Sequence, residues 1–170
     1  MGLVQVSSGI ITSSTASVTL TGIDNTDPHM LVITNFTPVT DATYLRCRLT
    51  ASGSEVSTSN YDYAELLFRS GTSFLDMGNA NGDLVNFNNH TNGTADGETV
   101  NAIAYLQNFN NSGHYSSVLF SESSRDHSGD DNGAIGGFIY TVAEAHDGVK
   151  LYWSSGNIAK GKAVLYRMVI

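Results

Sequence analysis

From Thr43 to Thr50 the chain repeats every two residues. Thr43, Leu45, Cys47 and Leu49 fall on one side, and Tyr44, Arg46, Arg48 and Thr50 on the other. Only an extended strand, whose successive side chains leave on opposite faces, turns that spacing into one apolar and one polar surface. The period returns where Ala16, Val18 and Leu20 alternate with Ser17, Thr19 and Thr21, stopping at Gly22 before the turn IDNTDP. The run HMLVITNF at 29–36 is mainly apolar, with Met30 to Ile33 continuous, as suits a central strand covered on both faces, and Thr37 and Pro38 end it. Helical periodicity is almost absent. Its best stretch, DYAELLF at 62–68, is too short to hold a helix by itself, and 61–69 reads as a strand with an irregularity.

Further strands are expected at 100–109, at 115–121 across the NNSG turn, and at 136–142, 149–154 and 162–170. Asn, Gly, Asp and Thr dominate 78–98, where Leu84, Val85 and Phe87 mark one short strand or anchor; a second polar loop runs over 123–133. About nine strands with turn signals at short intervals give an all-β fold, an antiparallel β-sandwich of jelly-roll-like form. No linker and no fixed repeat divides the chain, so residues 1–170 are read as one domain. The ending, 145–170, reads as a β-hairpin that closes one sheet. Val149, Leu151 and Trp153 form a set on its first strand, and Val164, Tyr166, Met168 and Ile170 a set on its second. An open apolar edge finishing in Met168, Val169 and Ile170 would invite pairing with other chains. The expectation is that the first strand or a neighbouring subunit covers it.

Charge and composition remove several function classes. A net charge of −8 leaves too few clustered cations to neutralise phosphates, so no nucleic-acid partner is expected. No run approaches the roughly 20 apolar residues that span a bilayer, so no membrane insertion is expected. The start, MGLVQVSSGIIT, lacks the charged and apolar regions of a secretory signal. Cys47 is alone, on the inward side of its strand, and reads as a small core hydrophobe.

The search for chemistry returns little. His29, His90, His114, His127 and His146 show no HxH, HxxxH or HExxH spacing; most sit in or beside loops and are read as exposed. Asp126, Asp130, Asp131 and Asn132 ahead of Gly133 suggest an oxygen cage for a hard cation, but the acids are adjacent and no Glu follows at the calcium-loop distance. GAIGG at 133–137 has no Lys and no following helix, and no GxSxG elbow exists. No enzyme and no cofactor is expected.

Two surfaces are left as candidates. The 87–90 loop, with Phe87, Asn88, Asn89 and His90, together with Tyr115, offers rings and amides of the kind that stack on and hydrogen-bond a sugar. Trp153, inside a strand, reads as core. Tyr44, Arg46 and Arg48 form a polar strand face that is either solvated beside acidic neighbours or a subunit contact, since Arg and Tyr favour interfaces. Met168 and Ile170 join that second group through the apolar finish.

Several segments carry a resemblance. Gly9, Ile10, Ser13, Ser14, Val18, Leu20, Gly22, Ile23 and Asp24 lead into Leu45, Arg46, Arg48, Thr50, Ser52 and Gly53. Near the end stand Ser154, Ser155, Gly156, Asn157, Ile158, Gly161, Leu165 and Tyr166. SNYDYA at 59–64 and YLQNFNNSGHYS at 105–116 belong to the same set. In these residues the chain resembles a group of tailed-phage virion proteins frequent in cyanophages and other marine phages, least so over 68–98 and 122–133. The resemblance supplies no functional residues. It implies a virion structural protein made in the host cytoplasm: a capsid decoration or knob, or a fibre-type appendage subunit. Its partners would be other capsid or tail proteins and further copies of itself, a homotrimer by fold analogy. The alternative is a tail-fibre module that binds a host surface glycan.

Overall fold

The computed structural model describes residues 2–70 and 74–169. Among these residues there is no helix, and two antiparallel sheets make up the molecule. The larger has eight strands in the order β1 (Gly2–Ile11), β13 (Ile158–Val169), β3 (His29–Pro38), β9 (Val100–Gln107), β10 (Ser117–Arg125), β11 (Asp131–Tyr140), β6 (Tyr61–Arg69) and β7 (Phe74–Gly82). The smaller runs β2 (Ser17–Thr21), β12 (Gly148–Trp153), β4 (Leu45–Ala51) and β5 (Ser54–Glu55), with β8 (Val85–Asn86) also paired to β4. The sandwich is as expected, but the count is thirteen strands among the described residues rather than nine. β1 and β7 were not expected because each is an edge strand, rich in Ser, Asn and Gly, whose side chains need not alternate by burial.

The period-two patterns define the core. Leu45, Cys47 and Leu49 on β4, Val149, Leu151 and Trp153 on β12, and Leu20 on β2 point across at Leu31 and Ile33 on β3, Phe120 on β10, Phe138 on β11 and Leu165 on β13. Phe36 meets Trp153 with ring centroids 6.3 Å apart, and Tyr61 meets Tyr140 edge-on at 5.0 Å. Burial pushes the Cys47 thiol up to about 12. DYAELLF is strand throughout, with a bulge between Tyr61 and Tyr63 against β7.

The expected terminal hairpin does not form. β12 belongs to the small sheet, between β2 and β4, and β13 to the large one, between β1 and β3. Val149, Leu151 and Trp153 point into the core as expected, but the set expected on the second strand does not: Val164 and Tyr166 share the outer face with Val32 and Met30, and Ala163 and Leu165 are the inward residues of β13. The turn that changes sheet is held by β4: the Ser154 hydroxyl pairs with Thr43 Oγ1 at 2.7 Å, and the Ser155 and Ser154 amides donate to Thr43 Oγ1 and the Tyr44 carbonyl at 3.0 and 2.9 Å. Gly156 has φ +71°, and a Cβ there would stand 2.0 Å from Thr40 Oγ1, so glycine is required for the turn to lie this close. β1 covers β13 along its length, Gly2 opposite Val169 through Ile11 opposite Gly161. The cover over Met168 and Val169 is thus β1, a strand the alternation did not reveal; the 16–21 strand is β2 and pairs with β12 in the other sheet.

Candidate interaction surface

The 87–90 loop lies inside the molecule, contrary to expectation. Phe87, Asn88 and His90 are buried and Asn89 is half-buried. The reason is that 85–92 completes the small sheet along β4. Val85 and Asn86 pair with Cys47 and Arg46, the Phe87 amide donates to the Leu45 carbonyl at 2.8 Å, and Thr43 and Asn92 exchange backbone bonds at 2.9 and 3.1 Å. Asn88 Oδ1 accepts the Leu45 amide at 3.1 Å while its Nδ2 donates to Asn92 Oδ1. Phe87 fills the core against Phe120 at 4.9 Å. These amides replace missing backbone partners, which is how buried polar groups are kept. Of the sugar-facing set, Tyr115 alone stands out in solvent, 52 % exposed on the turn after β9.

Beneath this segment the large sheet brings two carboxylates and an imidazole into the interior. Glu65 on β6 and Glu122 on β10 flank β11, opposite Gly136 and Ala134. Glu65 Oε1 accepts the Asn89 amide at 3.0 Å; its Oε2 has no protein partner. His90 Nε2 lies 3.4 Å from Glu122 Oε1 and 2.9 Å from Ser124 Oγ. Burial pushes the Glu65 carboxyl above the usual carboxylate range, with Asn89 pulling it partly back. Acid–base chemistry needs a reacting atom within reach of such groups, and here the Glu122 side chain has no solvent exposure and the Asn88–Asn89 segment roofs the cluster. Sequence reasoning missed it because the three residues come from distant strands with no shared spacing.

The other histidines divide. His114 and His127 are exposed as expected, whereas His29 and His146 are buried along with His90. His146 Nδ1 pairs with Ser116 Oγ at 2.8 Å and its ring stands edge-on to Tyr140 at 4.8 Å. Between β10 and β11 the acidic loop tightens to five residues. Asp126 accepts the Ser128 and Asp130 amides at 2.9 and 3.0 Å and pairs with Arg69. Burial pushes its carboxyl up, but those amides, Asn132 and Arg69 outweigh it and hold the group below its ordinary range. A guanidinium thus stands at the carboxylate that the cation reading assigned to a metal. Among the described residues no three His, Cys, Asp or Glu side chains converge as a metal set.

On the open face of the small sheet, Arg48 pairs with Asp83 at 2.6 Å and Glu55 at 3.5 Å, and Lys150 reaches Glu55 at 2.9 Å. Arg48 and Lys150 both lie over the Tyr152 ring at 5.7 Å. Tyr44 and Arg46 are half-buried beside them. The acidic neighbours expected of this face are thus Asp83 and Glu55. Met168 is half-buried on β13; Ile170 lies outside the described residues.

The feature that stands out is the outer face of the large sheet. Ile103 and Tyr105 on β9, Leu119 on β10, Ile135 and Ile139 on β11, and Leu66 and Phe68 on β6 are each 37–56 % exposed. Strand register sets them in rows. One row reads Val164, Val32, Ile103, Ser121, Ile135, Leu66; the next reads Tyr166, Met30, Tyr105, Leu119, Gly137, Ala64, Gly78. The small residues ending that second row floor an open groove of about 770 Å³, walled by Leu119 and Ile139. Exposed apolar patches on monomers rarely exceed a few hundred Å², and larger ones mark interaction sites.

No protein-family model matches the chain, and no curated protein matches it. Among solved structures it aligns with the CBM2 module of the evolved Dit of Lactobacillus casei BL23 phage J-1. The TM-score is 0.28 and the identity 12 %, over 91 % of this chain and 69 % of that one. A superposition that loose carries no argument about fold or function.

Proposed function

We propose that the chain is a structural subunit on the surface of a tailed-phage particle, a capsid decoration or a fibre-type appendage, and that it performs no catalysis. The observation that carries the reading is where the phage-like residues fall. Gly9, Leu20, Leu45, Arg48, Ile158, Gly161 and Leu165 lie on β1, β2, β4 and β13, two strands of each sheet. Several are held by geometry. A Cβ on Gly9 would stand 2.2 Å from Val18, Gly22 and Gly161 have φ +107° and +142°, and Ser52 and Gly53 form a positive-φ turn. What the chain shares with those virion proteins is therefore a frame. The outer apolar face adds a surface suited to assembly, and the Glu65, Glu122 and His90 cluster is closed to solvent.

Mass spectrometry of purified particles of the phage that encodes the chain tests this. The expected result is the protein at a fixed copy number per particle. Its absence from particles, with expression in infected cells, would overturn the assignment. A glycan-binding reading has one specific support, the exposed Tyr115 beside Asn111 and His114 on the β9–β10 turn; a glycan array comparing the wild type with Tyr115→Ala decides it.

A further inference from the structure

The partner of the outer face can be named from its own pattern. We infer that the large sheet packs face to face on the same sheet of a second copy, about a two-fold axis running along the strands between β10 and β11. The inference deepens the assembly reading by identifying the first partner, and it rests on that reading only for the need of one.

Three observations support a second copy. The first is charge. Among the described residues, the outward positions of β3, β9, β10 and β11 carry no charged side chain between the Arg125–Asp131 pair at one end and the Gln107–Ser117 pair at the other, although the chain as a whole carries −8. Depletion of charge at the centre is the compositional mark of an interface; the outward acids of the flanking strands, Asp62 on β6 and Asp76 on β7, fall toward the rim, so the centre meets its own copy without like-charge repulsion.

The second is area. Seven large side chains near half exposure present on the order of 600 Å² of apolar surface, taking roughly 150–200 Å² for each whole side chain. A stable interface takes about 800 Å² from each partner, rim included.

The third is shape. A two-fold along the strands in the plane between the sheets sets β10 over the partner's β11, β9 over β6 and β3 over β7. In the second row Leu119 then lies over Gly137, Tyr105 over Ala64 and Met30 over Gly78. Within this row each large side chain meets a small one, and each pairing occurs twice, as an isologous contact requires. In the neighbouring row Ile103 lies over Leu66, and Ser121 over Ile135. Tilting the axis from the strands by about half of the roughly 30° usual in aligned packing keeps these central pairs in contact while the corners splay, with sheets roughly 10 Å apart.

Sedimentation equilibrium of the purified full chain, with circular dichroism to confirm folding, tests the inference. The expected mass is twice 18.1 kDa, halved by Leu119→Asp, a change at an exposed position that leaves the fold intact. Ala64→Tyr, filling the groove, also gives a monomer, and adding Tyr105→Ala to it restores the dimer, because the swap exchanges large and small across the same contact. A wild-type monomer, a trimer, a mass unmoved by Leu119→Asp, or a swap that fails to restore pairing overturns the inference. Failure here leaves the particle assignment standing if the protein is found in virions. Absence from virions leaves the dimer untouched.

Discussion

Glu65 shows what the interior asks of single residues. One carboxyl oxygen holds the Asn89 amide while the other is buried without a protein partner, and burial raises its pKa. A carboxyl that binds its proton more tightly when folded stabilises the fold at low pH. That contribution is lost as pH rises from the unfolded value, about 4.3, through the folded one. Glu65→Gln keeps the acceptor and removes the charge. It is expected to stabilise the protein at pH 7 by roughly 1 kcal/mol, the scale of one relieved buried polar group, and to flatten the loss of stability above pH 4.3; urea melts across pH measure both. Cys47 gives a second outcome at this scale: with its thiol pushed up to about 12, it should not react with a thiol reagent until the protein unfolds. Cys47 was legible because its neighbours alternate around it. The burial of Glu65, Glu122 and His90 was not, since a polar side chain goes inside only when distant strands supply its partners.

The element that departs most from its composition is the 85–92 segment. Its sequence, VNFNNHTN, reads as a polar surface loop, yet it is the outer rung of the small sheet. Phe87→Ala should cost about 3–5 kcal/mol, the range for an aromatic removed from a core, where an exposed loop residue would cost within about 0.5 kcal/mol; denaturant titration separates the two. Val85 and Phe87 at a spacing of two were the available signal, masked by the Asn residues between and after them. The terminal strands teach a related limit. Alternation identified the inward side of β12, but on β13 it picked Val164, Tyr166 and Met168, the outer alternation, whereas Ala163 and Leu165 point in; nor does alternation separate two strands that share a sheet from two that face each other across a core. Which arrangement holds depends on the Thr43 contacts to the 154–155 turn and on the glycine at 156, information that lies more than a hundred residues apart in the chain.

At the scale of the whole molecule, the imidazoles and carboxyls held within the apolar core and the apolar face left on the exterior each have a measurable consequence. His29 and His146 are buried, and burial pushes both imidazoles below their ordinary value. A base that resists protonation when folded leaves stability intact above the unfolded value, about 6.5, and removes it as pH falls from there through the folded value. The thermal midpoint should therefore fall between pH 7 and pH 5.5, and His146→Gln, sparing the Ser116 contact, should reduce that fall. The sandwich class and the inward sides of β4 and β12 were legible from period, whereas the strand that covers β13 was not, because β1 is a polar edge strand without alternation by burial. Nor was the outer face. The apolar residues on its strands occupy both alternations, and only the register that brings Tyr105, Leu119, Gly137 and Ala64 into one row reveals a surface.

The central claim is that this row is covered in the assembled protein. Hydroxyl-radical footprinting of the wild-type chain tests it most directly, with Tyr115 and Val39, about half exposed and away from the face, as internal references. The expected result is protection of Tyr105, Leu119, Ile135 and Phe68 relative to those references, lost in Leu119→Asp for the three positions it retains. Oxidation of Tyr105, Leu119, Ile135 and Phe68 in the wild type to the extent their monomer exposure dictates would contradict the claim.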